Sequence, residues 1–268
     1  MSILDIQSEI GHVSPKPPTD GRTLLGGRYE LVAPLGRGGM GTVWRAVQHP
    51  LDREVAVKVL RRDGLSADES RRALRRFFKE ARAIASLHHP HVIPLYDFGE
   101  SERGDFYLVM ELLPGKALSE VMHRDGPMEL TRAAWILDQV LDALQEAHRS
   151  QIVHRDLKPE NIQLGRRGDR NDFVTVLDFG IARATDLEGR ESPTKTTIEV
   201  CGTPAYMSPE QILGTAVDPR SDLYAAGILL YEMLTGRVPF DAEQTVDIYL
   251  GHLKRDPPPL SEFVPDLA

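Results

Sequence analysis

The stretch "HRDLKPEN", residues 154–161, packs His154, Arg155, Asp156, Lys158, Glu160 and Asn161 around Pro159. On composition alone it reads as an ordinary polar surface loop. What sets it apart is a carboxylate, an ammonium and an amide at fixed spacing between two short apolar, strand-like ends, "IV" and "IQL". Asp156 is a candidate base, and Lys158, two residues on, a candidate phosphate contact. Asn161 supplies a neutral oxygen suited to a hard cation such as magnesium. A second acid, Asp178, ends the apolar run "VTVLDFG", where Gly180 lets the chain turn.

Two further groups have chemistry to offer. In "LGRGGMGTV", Gly36, Gly38 and Gly41 form a G-x-G-x-x-G pattern. By itself this is weak, because such glycines also serve plain turns and dinucleotide folds. A dinucleotide motif lies between a strand and a helix, whereas here strand-like residues stand on both sides. That arrangement describes a hairpin whose small tip lets backbone N–H groups approach phosphates. In "VAVKV", alternation puts Ala56 and Lys58 on one face and Val55, Val57 and Val59 on the other. A lysine among so many apolar neighbours calls for an anionic partner, with Glu80 the nearest candidate; a snorkelling edge lysine is the bland alternative. Two acids, an amide and a lysine converging with a glycine hairpin describe a nucleotide–metal site for phosphoryl transfer.

The elements that must position these groups follow from hydrophobic period. Residues 1 to 27 include "VSPKPPTDGRTLLGG", rich in proline and glycine, and read as a mobile tail. "YELVAPLG", "TVWRAVQ", "EVAVKVL", "VIPLYDFG" and "FYLVMEL" read as strands. Between the third and fourth, Phe77, Ala81, Ile84 and Leu87 recur at helical spacing. The other face of that helix carries Arg71, Arg72, Arg75, Arg76 and Lys79, which read as a solvated face, with a docking surface as the minority reading. After "LLPG" helices dominate: "TRAAWILDQVLDALQEAH" is amphipathic through Ile136, Val140, Leu144 and Ala147, and "SDLYAAGILLYEMLTG" is apolar nearly all round. The order is strands first and helices second, an α+β pattern in two lobes.

The whole chain narrows the field. Its 268 residues allow one large domain or two lobes around a cleft. A net charge of −8 argues against a general nucleic-acid binder. The lone Cys201 excludes an intrachain disulfide and points to a reducing compartment. No apolar run is long enough to span a bilayer, and the first residues lack a basic start and cleavage site. The expectation is a cytoplasmic protein with no membrane segment in this chain.

In this order, "GRGGMG", "VAVK", "HRDLKPEN", "DFG" and "GTPAYMSPE" resemble the eukaryotic-like (Hanks-type) serine/threonine protein kinases, especially bacterial ones. The resemblance implies a two-lobed fold, with a small antiparallel sheet and one helix in the N-lobe (about 28–111) and a mostly helical C-lobe (about 112–268). It implies ATP and magnesium as cofactors, manganese as an alternative metal, protein substrates with serine or threonine acceptors, and a dimer for trans-autophosphorylation. Residue by residue, Gly36, Gly38 and Gly41 would cover the phosphates, and Lys58, paired with Glu80, would hold the α and β phosphates. Asp156 would orient and deprotonate the acceptor hydroxyl, Lys158 would steady the transferred phosphate, and Asn161 and Asp178 would hold the metal. Leu35, Val43 and Ala56 would close over the base, with Met110 as gatekeeper and the backbones of Glu111 and Leu113 facing adenine. Lys158 favours serine/threonine over tyrosine specificity. Arg155 would pair with a phosphate on Thr194, Thr196 or Thr197, and Thr203 would contact Asp156 and help select the acceptor.

Gln163 departs from the pattern. It falls where an apolar residue beneath adenine is usual, and its amide could bond a base nitrogen, pack through its methylenes or weaken ATP binding. Rival readings are an ATP-binding pseudokinase scaffold, which the presence of Lys58, Glu80, Asp156, Asn161 and Asp178 opposes, and a small-molecule phosphotransferase, which Lys158 and "GTPAYMSPE" oppose. The histidines of "HHPHV" are read as a helix-to-strand connection, Cys201 as a packing residue, and Asp222 as either a helix cap or a brace for the loop at 154–161. Members of the family normally continue with helices beyond Ala268, one of which carries an arginine for the acid at Glu210. A truncated domain in which Glu210 lacks that arginine partner is therefore expected.

Overall fold

Alternating β-branched residues in the first part of the chain pair into a sheet, and the 3.6-residue period of the later segments gives helices. The computed structural model describes residues 24–38, 41–60, 67–179 and 203–264. Strands β1 (Leu24–Leu25), β2 (Tyr29–Gly38), β3 (Gly41–Gln48), β4 (Arg53–Leu60), β5 (Leu95–Glu100) and β6 (Phe106–Glu111) form one antiparallel sheet in the order β1-β2-β3-β4-β6-β5. Alternation on β4 divides its neighbours. Val55 and Val57 join Tyr29, Ala46, Tyr107 and Val109 in a cluster on one face, while Ala56 and Leu60 join the main core on the other.

Helix α1 (Ala67–Ala85) lies against the main-core face. Phe77, Ala81 and Ile84 are buried as their spacing predicts, and the Phe77 ring stacks on Phe106 with centroids 4.4 Å apart. That pair anchors the helix to β6.

The second part builds helices α2 (Leu118–Asp125), α3 (Leu130–Arg149), α4 (Pro209–Ile212), α5 (Pro219–Thr235) and α6 (Thr245–Lys254) around a small sheet. This sheet, β7 (Lys116–Ala117), β8 (Ile162–Arg167) and β9 (Arg170–Val176), is antiparallel in the order β7-β8-β9. The core face of α3 buries Ala133, Ile136, Val140, Ala143, Leu144 and Ala147. Buried Gln139 on the same helix donates to the carbonyls of Trp135 and Asp172 and accepts from the N–H of Val174. With every polar atom satisfied, it fixes α3 against β9 instead of costing stability.

Helix α5 is buried on several sides, from Ser221 and Asp222 to Met233 and Leu234. Asp218 caps its start by accepting from the N–H of Arg220 at 2.8 Å, and Gly236, at φ 75°, ends it. Among the described residues, no helix is long and apolar enough to cross a membrane. The fold is two-lobed, an antiparallel sheet with one helix and then a mostly helical part, as the α+β pattern implied.

Candidate active site

The stretch at 154–161 is held from below by a buried acid. Asp222, in the first turn of α5 and 1% exposed, accepts from the N–H of His154 and of Arg155, both at 2.8 Å, and meets His148 Nε2 at 2.7 Å. Asp218 is the helix cap and Asp222 the brace, which decides between the two roles open to Asp222. His154 is also buried; its Nε2 meets the carbonyl of Leu177 at 2.8 Å and its ring lies against Phe179. Arg155 has φ 68°, a left-handed conformation that an L side chain adopts only where surrounding bonds impose it. Those bonds are its N–H to Asp222 and its carbonyl, which accepts from Gln211 Nε2 at 2.7 Å.

Gln211 belongs to a capping box at the start of α4, where its Oε1 accepts from the N–H of Ser208 at 3.1 Å. The S-x-x-Q spacing was readable in the sequence, but nothing local told that the amide would also reach Arg155. His148, likewise, carries no local signal of its bond to Asp222.

On this base the reactive side chains converge. Lys158 Nζ lies 2.8 Å from Asp156 Oδ2 and donates to Thr203 Oγ1 at 2.8 Å. Asn161 Nδ2 donates to the Asp156 carbonyl at 2.8 Å and to Asp156 Oδ2 at 3.3 Å. Thr203 was expected to contact Asp156 directly. Instead the ammonium of Lys158, with three donors to distribute, stands between the two acceptors. The ends of the stretch also differ from expectation: residues 152 and 153 are not a strand, although β8 does begin at Ile162.

Asp178 follows β9 with φ 57°, and its Oδ2 lies 2.7 Å from Lys58 Nζ. The ion pair of Lys58 is therefore with Asp178 and not with Glu80, the expected partner. The physical reason is placement. Val43 and Leu108 flank Lys58 in register, so the ammonium leaves the sheet on the main-core face, where the left-handed turn at Asp178 presents a carboxylate. At 13% and 27% side-chain exposure, a close opposite charge offsets the loss of water around both groups.

The glycines divide by role. Gly36 has open space where a Cβ would stand, whereas a Cβ on Gly41 would lie 2.0 Å from the Val59 carbonyl oxygen. Gly41 is thus required by the close approach of β3 to β4, whereas no packing among the described residues requires Gly36. Gly38 pairs with Gly41 at the end of the hairpin, and Leu35 sits at a bulge between Pro34 and Gly36. Ala56 pairs with Met110, both buried, while Glu111 ends β6 and Leu113 follows it with its side chain packed on the core. Gln163 lies on β8 opposite Ala117, on the face away from buried Ile162 and Leu164. Its amide makes no hydrogen bond among the described residues.

Glu210 is not left without a partner. It accepts a hydrogen bond from the Ser221 hydroxyl. Burial alone would raise its pKa, but bonds from Ser221, its own N–H and Ser208 hold it below the ordinary carboxylate value. Tyr206 likewise donates to Glu232, and burial and this bond push its hydroxyl far up. Gly180, Thr194, Thr196, Thr197 and Cys201 lie outside the described residues.

Comparison with known proteins agrees with this geometry. The protein kinase domain family matches residues 29–258. The chain is 45% identical over 254 residues to the serine/threonine-protein kinase pkn3 of Myxococcus xanthus, covering 93% of this chain and 46% of that protein. It is 42% identical over 244 residues to PrkC of Bacillus subtilis, covering 91% and 36%. It is 41% identical over 245 residues to PknA of Mycobacterium tuberculosis, covering 90% and 54%. The chain thus spans about half or less of the length of these relatives. On its matched length, its ordered motifs and its two-lobed fold, the chain belongs to the protein kinase domain family.

Proposed function

We propose that the chain transfers the γ-phosphate of ATP to serine and threonine hydroxyls of protein substrates. The observation that carries this reading is the Asp156 carboxylate. Lys158 and Asn161 both engage its Oδ2, and Oδ1 makes no hydrogen bond among the described residues. An oriented carboxylate with one oxygen available can accept the proton of an acceptor hydroxyl. Lys158 adds positive charge beside it, where charge on a transferred phosphoryl group needs to be offset.

The donor set fits a magnesium–nucleotide ligand. Only the NH₂ end of Asn161 can donate to the carbonyl and carboxylate of Asp156, so its Oδ1 remains free as a cation ligand. Asn161 and Asp178 would hold the metal, with Mn²⁺ as an alternative to Mg²⁺. Among the described residues no group of three or more His, Cys, Asp or Glu could hold a metal. Two protein ligands suit magnesium, which keeps waters and binds phosphate oxygens. The backbone around Gly36, together with Lys58, would hold the phosphates, and Leu35, Val43, Ala56, Met110 and Gln163 would surround the base. When bound, ATP and magnesium supply the phosphoryl group and neutralise its charge.

The reading extends to control. Thr196 or Thr197, with Thr197 favoured of the two, would be phosphorylated by a second copy of the domain, and Arg155 would pair with the phosphate. What supports this is the position of Arg155 directly before Asp156, with its backbone clamped by Asp222 and Gln211. Thr203, bonded to Lys158, would help select the acceptor. The lone cysteine supports a cytoplasmic, reducing location.

Asp156→Asn is the decisive variant. Phosphate transfer to a generic basic protein should fall about a hundred- to ten-thousand-fold, while binding of a fluorescent ATP analogue stays near that of the parent. Equal transfer by the two proteins would overturn the role of Asp156.

A further inference from the structure

Gln139, His154, Asn161 and Asp222 are buried, and their side chains are hydrogen-bonded. His252, on α6 and 6% exposed, differs between its two nitrogens. Nδ1 meets the Tyr224 hydroxyl of α5 at 2.7 Å. Nε2 is buried and makes no hydrogen bond among the described residues. A buried polar atom in that state is a cost, and each such case calls for a reason.

The surroundings of Nε2 supply one. Helix α6 packs against the single turn Pro204–Tyr206. The carbonyls of Pro204 and Ala205 stand close enough to raise the His252 pKa, although burial lowers it by more and keeps the imidazole neutral. Since carbonyls only accept, the one proton of the neutral ring belongs on Nε2, and Nδ1 then accepts from the Tyr224 hydroxyl. The ring is wedged in place by Phe240, edge-on at 4.9 Å. Gly251, the preceding residue, brings α6 so near that a Cβ there would stand 2.9 Å from Phe240. The turn itself is lightly held: the Tyr206 N–H donates to the Thr203 carbonyl at 3.0 Å, and the Met207 N–H reaches the Pro204 carbonyl only at 3.4 Å.

This turn adjoins the proposed chemistry. Thr203, at its start, accepts from Lys158, which lies 2.8 Å from Asp156. An acceptor hydroxyl must come within about 3 Å of Asp156, so the chain that carries it has to pass over Thr203 and the turn. We propose that His252 is a positioning residue for the protein acceptor: when an acceptor segment lies on residues 203–206, the turn settles onto α6 and the His252 Nε2–H donates to the carbonyl of Pro204 or Ala205. The inference rests on the phosphate-transfer reading above. A bond that the free protein lacks is completed only with the acceptor in place. It strengthens acceptor binding without touching the reacting atoms, so it acts on KM and not on kcat.

Two measurements test it. In ¹⁵N-histidine-labelled parent protein, long-range ¹H–¹⁵N spectra should show the His252 proton on Nε2, its signals identified by their loss in His252→Gln. That reading needs neither activity nor a stable variant. In phosphate transfer to the generic basic protein, His252→Leu should raise KM about tenfold, the effect of one buried hydrogen bond, with kcat within about twofold. His252→Gln, whose amide still donates, should return KM to within about threefold of the parent. A proton on Nδ1 would overturn the role of His252 while leaving the kinase reading intact. So would a KM unchanged in His252→Leu, or a fall in kcat alone. No transfer by the parent at any acceptor concentration would instead overturn the kinase reading, and the role of His252 with it.

Discussion

The two sides of the cleft are built by opposite means. Around Asp156 the backbone is clamped by buried polar groups: Asp222 takes two N–H groups, Asn161 and Lys158 hold the carboxylate, and Gln211 holds the carbonyl of Arg155. Facing it, small residues and open space at Gly36 shape the wall made by the glycine hairpin and β4, and Lys58 reaches across to Asp178. The difference teaches how each side is suited to its task. A proton acceptor must be fixed to a fraction of an ångström, which desolvated hydrogen bonds achieve. A cover for phosphates must leave room for backbone N–H groups to approach, which only missing side chains permit.

The clamped side should break hardest. Asp222→Ala strips acceptors from the N–H groups of His154 and Arg155 and from His148 in a buried setting. Stability should fall by about 3 kcal/mol, measured by urea unfolding, and phosphate transfer should fall to background. A variant as stable as the parent would mean that the brace does not hold the loop.

The open side separates two glycines that look alike in sequence. Gly41→Ala drives a Cβ into the Val59 carbonyl and should cost about 1–3 kcal/mol, as overpacking does. Gly36→Ala meets no atom of the described residues within 4 Å, so stability should stay within about 0.5 kcal/mol while the Kd for ATP rises. If Gly36→Ala instead destabilises the fold and leaves ATP binding alone, the contrast between the two glycines fails.

The smallest effect sharpens the comparison further along the clamped lobe. His252 on α6 is buried, bonded to Tyr224 at 2.7 Å, and set against Phe240. Burial lowers its pKa below the free value of 6.5, outweighing the carbonyls of Pro204 and Ala205, which raise it. The unfolded chain therefore takes up a proton that the folded chain resists, and stability contributed by neutral His252 is lost as pH falls below the free value. His49 works the other way, because bonding to Glu30 raises its pKa, so the difference between parent and variant is the proper readout. His252→Gln should flatten the fall in melting temperature between about pH 7 and about pH 5. An unchanged slope would show that His252 does not titrate in that range.

Much of this architecture was legible in the chain. Alternation marked β4 and its two faces, and the period of Phe77, Ala81 and Ile84 marked the buried face of α1, because both signals are local and follow from backbone geometry. The order of motifs implied the two lobes. The partners were less legible: Lys58 meets Asp178, 120 residues away, and Thr203 meets Lys158 instead of Asp156.

The sequence by itself determined which groups are present, where strands give way to helices, and that Asp156, Lys158 and Asn161 stand close enough in the chain to share one turn. Tertiary structure alone decided the rest. It assigned the capping of α5 to Asp218 and the brace to Asp222, gave Glu210 the hydroxyl of Ser221, and required Gly41 while leaving Gly36 open. The reason is physical. Propensity and period depend on a few neighbouring residues, whereas the partner of a buried charge or hydroxyl depends on which distant elements the packed core brings within about 3 Å.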